Sequence, residues 1–127
     1  MKNKHNANSL TWIILKSHTR REKTRVAQVE GGWLFKFRHF HGSQSSLTSQ
    51  AMIFIPDPKQ EWCPEEHTAA WEQVSRKTNC NFGEYTDCLK IWNGCIYKDS
   101  FFTGKKEMHI SLAYAPVHTD ENTSPAK

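Results

Sequence analysis

The chain is short of aliphatic residues, glycine and proline. Ile, Val, Leu and Phe make up 24 of its 127 residues, with 6 Gly and 5 Pro. There is no Gly-rich phosphate loop and no Gly-x-Ser-x-Gly elbow, so neither nucleotide cradling nor hydrolase-type nucleophilic catalysis has a motif. The four cysteines, Cys63, Cys80, Cys88 and Cys95, contain no Cys-x2-Cys pair, which removes the usual half-site of structural zinc. Long apolar runs are also missing. Behind Lys2 and Lys4, the stretch 10–15 is interrupted by Thr11 and ended by Lys16, too short for a signal peptide or a bilayer span. These absences set the first expectations: a soluble cytoplasmic chain with no membrane contact, free thiols, no metal and no cofactor.

What is present can still build a core. Five Trp, three Tyr and seven Phe supply large rings, each able to bury roughly 150–250 Å². The net charge of +4 is too low to hold such a chain unfolded. The length fits a single domain over 10–115, with polar, aperiodic ends at 1–9 and 116–127 expected to be flexible.

Residues 11–16, 24–29, 33–40, 47–55, 88–92, 95–102 and 108–115 are short, rich in aromatic or β-branched residues and bounded by turn formers, so they read as strands. Segment 64–78 reads as a helix. Pro64 suits the first helical position, Glu65 and Glu66 the positive end, Arg76 and Lys77 the negative end, and Asn79 the stop. His67, Ala70, Trp71 and Val74 would then form one face, with Trp71 anchoring it. The expected fold is α+β: an antiparallel sheet of six to seven strands with this helix packed on it.

Gly31-Gly32 and Asn93-Gly94 read as two-residue hairpin turns, since both permit positive φ. A weak echo surrounds them at an offset of 62 residues. Thr24 matches Thr86, Gly32 matches Gly94 and Lys36 matches Lys98, with Val29/Ile91, Leu34/Ile96 and Phe35/Tyr97 alike in kind. A duplicated hairpin unit would explain the echo; so would two unrelated hairpins obeying the same turn chemistry, the more economical reading because such motifs recur widely.

Charge is unevenly placed. Residues 1–40 hold nine Lys or Arg against two acids (+7), 41–72 hold one against five (−4), and 73–127 hold seven against six (+1). With Gly31 and Gly32 as the loop, Glu30, Gln28 and Val26 share a core face with Trp33, Phe35 and Phe37. The other face then holds Val29 with Leu34, Ala27 with Lys36, and Arg25 opposite Arg38. Like charges facing each other across strands destabilise unless an anion lies between them. Arg25, Lys36 and Arg38 form a basic stripe, with Lys16, Arg20, Arg21 and Lys23 at its margin. The leading expectation is a small non-enzymatic binding domain whose basic hairpin face engages an anionic macromolecule, nucleic acid or an acidic protein surface. Phe35 and Phe37 turn away from that stripe, leaving His39, Phe40 and His41 as the only rings near it.

Two other readings use other residues. Trp62, beside the turn-forming Pro56-Asp57-Pro58, and Phe101-Phe102 are docking residues for an inhibitor or adaptor. Met108–Leu112, as Met-His-Ile-Ser-Leu, resembles the His-x-Ser/Thr-x signature of the two-histidine phosphoesterases, and that resemblance implies phosphoester chemistry through His109. The family uses a second copy of the motif, which neither His18-Thr19-Arg20 nor His39-Phe40-His41 supplies. Cys63-x3-His67 has the spacing of half a zinc site. The expected geometry places Cys88 and Cys95 about 13 Å apart along the strands and Cys63 and Cys80 roughly 20 Å apart along the helix, so no tetrahedral centre forms.

Overall fold

A computed structural model describes residues 10–17, 22–41, 46–103 and 108–117, without the side chains of 41 and 46–48. Ten strands follow one another: β1 Trp12–Ile14, β2 Lys16–Ser17, β3 Glu22–Val29, β4 Gly32–His41, β5 Ser46–Pro56, β6 Thr68–Ala69, β7 Glu72–Thr78, β8 Phe82–Ile91, β9 Gly94–Thr103 and β10 Met108–Pro116. They form two four-stranded antiparallel sheets, ordered β1-β3-β4-β5 and β10-β9-β8-β7, and a small parallel pair of β2 with β6. The two large sheets pack face to face. Their shared core holds Leu15, Val26, Trp33, Phe35 and Ile55 from the first half, with Leu89, Ile91 and Ile96 from the second.

The architecture is therefore a β-sandwich, and the expected α+β fold is incorrect: among the described residues there is no α-helix. Segment 64–78 contains a single 3-10 turn, Pro64–Glu66, then β6 and β7. Pro64 does open a helical turn, but the chain leaves helical geometry at His67, which is extended. From Glu72 the backbone finds its hydrogen-bond partners on β8 instead of within itself. The supposed apolar face is not buried as a unit, since Val74 is 53% exposed. Charges that suit a helix surface, Glu72, Arg76 and Lys77, suit a solvent-facing edge strand equally well. Trp71 keeps its anchoring role by other means. Its indole N–H donates to the Thr24 hydroxyl at 3.1 Å, and its ring meets Phe37 edge-on at 5.6 Å.

Both hairpins bend one residue earlier than expected. Val29 pairs with Gly32 around Glu30 and Gly31, and Ile91 pairs with Gly94 around Trp92 and Asn93. Gly31 carries the positive φ, +84°, in the first turn. Gly32 and Gly94 serve a different need. A Cβ on Gly32 would lie 2.2 Å from the Ile55 carbonyl oxygen, and one on Gly94 would lie 2.4 Å from that of Ala115. Each glycine lets the third strand of its sheet close against the hairpin.

The echo of 62 residues thus has a structural counterpart: β9 begins and ends 62 residues after β4, and the third strands both close at a proline, Pro56 or Pro116, opposite the glycine. Of the tail expected from 116, Pro116 completes β10 and the Val117 N–H donates to the Asn93 carbonyl at 3.0 Å. Residues 1–9 and 118–127 lie outside the described residues. Among the described residues no helix is long and apolar enough to cross a membrane.

Candidate functional site

The first sheet presents its basic stripe on the face turned away from the core. In the observed register Arg25 stands opposite Lys36 and Lys23 opposite Arg38, so the expected Arg25–Arg38 pairing is replaced by two pairs of like charges. The slip amounts to two residues in the pairing, and because side chains alternate with a period of two it leaves every residue on its expected face. Phe35 and Phe37 are buried at 2% and 1% on the opposite face.

Neighbouring strands complete this outer face. Trp12 and Ile14 on β1 stand across from Ala27 and Arg25, while Gln50, Met52 and Phe54 on β5 stand across from Arg38, Lys36 and Leu34. Ile14, Met52 and Phe54 are exposed. The Lys36 ammonium lies 4.4 Å from the centre of the Trp12 ring, a cation–π contact. The Arg38 Nε donates to Gln50 Oε1 at 3.1 Å, and the Arg25 Nε is buried with no hydrogen-bond partner among the described residues. None of Lys23, Arg25, Lys36 and Arg38 forms an ion pair among those residues, and the pairing registers place no carboxylate on this face. Trp12 and Phe54 are the rings missing from the sequence pattern. They come from strands adjacent in space, so no spacing in the chain marks them.

The remaining members of the expected patch are placed differently. Lys16 belongs to the separate β2–β6 pair. Arg20 and Arg21 lie outside the described residues. His39 turns to the inner side, where its Nδ1 is 3.7 Å from Glu22 Oε2 and its ring lies edge-on to Phe102. The side chain of His41 lies outside the described residues.

A second polar cluster lies inside the sandwich. Lys98 is 0% exposed, with its Nζ 3.6 Å from the centre of the Phe37 ring and 4.4 Å from that of Trp71. Glu22 at 3.4 Å and Asp87 at 3.6 Å compensate its charge. Burial pulls the Lys98 amine below its ordinary range against the pull of both carboxylates, and burial raises Asp87 despite Lys98 beside it. A cavity of about 180 Å³ reaches Glu22, Asp87, Tyr85 and Ser100, but Lys98 does not line it. The amine is thus held in the core and is not presented to a ligand.

A third constellation sits at the end of the sandwich where both hairpins turn. Asp57, 4% exposed, starts the turn that the flanking prolines imply and organises the loop up to Trp62. Its carboxylate accepts from the Trp33 indole at 2.9 Å and from the backbone N–H groups of Glu61 and Trp62 at 3.2 and 3.1 Å. Burial alone would raise this carboxyl, but the three donors prevail and hold it below its ordinary value. Trp62, so placed, stacks on Trp92 with ring centres 4.7 Å apart and lies against Trp33 and Phe35. Glu61, Trp62, Cys63, Glu66, His67 and Trp92 line an open hollow of about 360 Å³.

The other expected docking residues are not assembled with Trp62. Phe102 faces the inner side against Tyr85 and His39, and Phe101 packs beside Phe82 on the outer face of the second sheet. His109 is exposed on that outer face, opposite Phe101, with the second sheet between it and His39. Among the described residues no three His, Cys, Asp or Glu side chains gather to hold a metal ion. All four thiols are free. The expected 13 Å separation of Cys88 and Cys95 is corrected by the turn. Cys95 pairs with Lys90 and Cys88 with Tyr97, so the two thiols are diagonal neighbours within hydrogen-bonding reach, and burial raises the Cys88 thiol. Cys63 and Cys80 are not joined by a helix, and the distance expected along one does not apply. A scan against protein-family models and searches of curated proteins and of solved structures returned no match.

Proposed function

We propose that the outer face of the first sheet binds single-stranded nucleic acid and that the chain acts as a binding module. The observation that carries this reading is the row of four cations, Lys23, Arg25, Lys36 and Arg38. They face one another in like-charged pairs, with no carboxylate on that face and with the Arg25 Nε buried and unpartnered among the described residues. A sheet that assembles like charges without counter-charges loses stability, and a phosphate chain laid along the row offsets that cost. Arginine donates to phosphate oxygens in a bidentate fork, and desolvation strengthens such contacts.

Trp12 and Phe54 favour a single strand over a duplex. Unpaired bases have open faces for stacking on rings set beside the cations, whereas a duplex offers only its backbone and groove edges. A fluorescein-labelled oligonucleotide, its duplex form and polyglutamate, each titrated at low salt, test the reading. Tighter binding of the single strand than of the other two supports it. Polyglutamate bound as tightly as the oligonucleotide reassigns the face to an acidic protein partner. Absence of binding to all three removes the anion-binding role altogether.

A further inference from the structure

Lys98, Asp87 and Glu22 meet between the sheets, away from the outer basic face. Asp87 and Lys98 are register partners on β8 and β9. Glu22 comes from β3 of the other sheet, so the three groups assemble only when the sheets pack. The Lys98 Nζ lies 3.4 Å from Glu22 Oε1 and 3.6 Å from Asp87 Oδ2. Both contacts exceed the roughly 2.7–2.9 Å of a charge-assisted hydrogen bond, so they offset only part of the hydration that a buried ammonium gives up. Phe37 and Trp71 cover the amine, and Lys98 as a whole is buried.

A primary amine held against a carboxyl group by fixed strands, with rings excluding water from the amine, meets the conditions for condensation to an amide. Proximity replaces a bimolecular encounter, and a desolvated lysine is a better nucleophile than a hydrated one. Burial acts on both partners in the required sense, since it favours the neutral amine of Lys98 and the neutral carboxyl of Asp87. A second carboxylate at the same nitrogen, Glu22, is placed to accept a proton from it and hand one on. An ion pair alone needs one acid; the third group has a use only if protons move.

We propose that Lys98 and Asp87 condense into an intramolecular amide that cross-links β9 to β8, with Glu22 as the proton carrier. The ammonium first passes a proton to the Asp87 carboxylate. The Nζ lone pair then attacks Asp87 Cγ, and the Nζ–Cγ bond forms as the carbonyl electron pair moves to oxygen. Glu22 takes a proton from the nitrogen and delivers it to the departing hydroxyl, the Cγ–O bond breaks, and water leaves. Atoms and charge balance: one ammonium and one carboxylate give one amide and one water, and Glu22 ends as it began. The hollow of about 180 Å³ reaches Asp87 and Glu22 but not Lys98, so water departs on the carboxyl side. Two charges vanish from the core, and Glu22 keeps His39, whose Nδ1 is 3.7 Å from its other oxygen.

Intact-mass spectrometry of the folded full-length chain, after prolonged incubation at neutral pH, tests this directly. The mass is expected to fall below that of the sequence by one water. Trypsin cuts after Lys90, between the two residues, and would otherwise cut after Lys98. In the cross-linked chain the fragment ending at Lys90 stays joined to the one beginning at Ile91, and cleavage after Lys98 is lost. Glu22→Gln keeps the shape of the proton carrier without its basicity, and this variant, shown by circular dichroism to be folded, is expected to retain the full mass. Lys98→Met retains it whether folded or not. The full mass in the unaltered folded chain overturns the proposal, which therefore does not depend on either variant folding. So does a water lost without the joined fragments, or a joined pair that forms as readily in folded Glu22→Gln.

Discussion

Lys36 and Lys98 occupy the same step of two matching hairpins, each four residues beyond the glycine that opens its strand, and they point in opposite directions. Lys36 lies over Trp12 on the open face of the first sheet, whereas Lys98 is sealed between the sheets over Phe37 and Trp71. Leu34 and Ile96 repeat the relationship, half-buried in one sheet and 1% exposed in the other. The two sheets are stacked with corresponding faces turned the same way, so the side left open on the first is covered on the second. The inner lysine then needs Glu22 and Asp87, while the outer one has no acid beside it among the described residues.

That contrast predicts unequal responses to the same substitution. Lys98→Met strands two half-buried carboxylates without their cation and is expected to cost about 3 kcal/mol, the scale for removing one partner of a buried pair. Lys36→Met, on the open face, is expected to stay within about 0.5 kcal/mol. Urea denaturation with an unchanged m-value measures both. Equal losses would mean that Lys98 is not compensated as described.

Charge reversal on the outer face separates binding from stability. With four phosphate contacts, oligonucleotide affinity is expected to fall with salt at a log–log slope near −3, at about −0.7 per contact. In an Arg25→Glu, Arg38→Glu double variant each new carboxylate faces a lysine, Lys36 or Lys23. The melting temperature is therefore expected to hold or rise, while affinity at low salt drops by at least about a hundredfold, since two contacts are lost and two repulsions added. A fall in melting temperature together with intact binding would contradict the assignment.

His67 gives the molecule a defined acid sensitivity. Burial lowers its folded-state value below the ordinary 6.5, so the unfolded chain takes up the proton first. Its contribution to stability is therefore complete above about pH 6.5 and shrinks as pH falls toward the folded-state value. Thermal melts of the unaltered protein and His67→Gln, at about pH 7.5 and about pH 5, isolate this effect from the other histidines. The difference between the two proteins, unaltered minus variant, should decrease at the lower pH. A constant difference would show that His67 titrates normally.

The glycines at the hairpins are predicted to differ in kind. Gly32→Ala and Gly94→Ala drive a methyl group into a carbonyl oxygen of the adjacent strand and are expected to cost about 2–3 kcal/mol each, as overpacking does. Gly31→Ala meets open space and bears only the strain of its φ of +84°, about 1 kcal/mol. Chemical denaturation of the three variants ranks them.

Seven of the strands are legible in the chain because alternating apolar residues with β-branched or aromatic character leave few other choices. The stretches 11–16, 24–29, 33–40, 47–55, 88–92, 95–102 and 108–115 correspond to β1, β3, β4, β5, β8, β9 and β10, the first of them breaking after Ile14. Register departs from the expectation by two residues, because Gly32 and Gly94 look like turn residues when their task is to admit the neighbouring strand. The helix expected at 64–78 is absent because acids before bases, with Trp71 and Val74 at helical spacing, also fit a 3-10 turn and an edge strand beyond it. Of the basic patch, Lys23, Arg25, Lys36 and Arg38 are brought together, while Trp12 and Phe54 join them only through strand neighbours far away in the chain.

The order of residues along each strand determined which side chains share a face, since the pleat alternates them whatever lies beyond. It also determined that one such face would be rich in Lys and Arg. Which faces meet another sheet was decided only when the two halves packed, and that alone buries Lys98, opens Lys36 and sets Trp92 against Trp62. Pleating is a property of the local backbone, whereas burial depends on a surface contributed by distant segments.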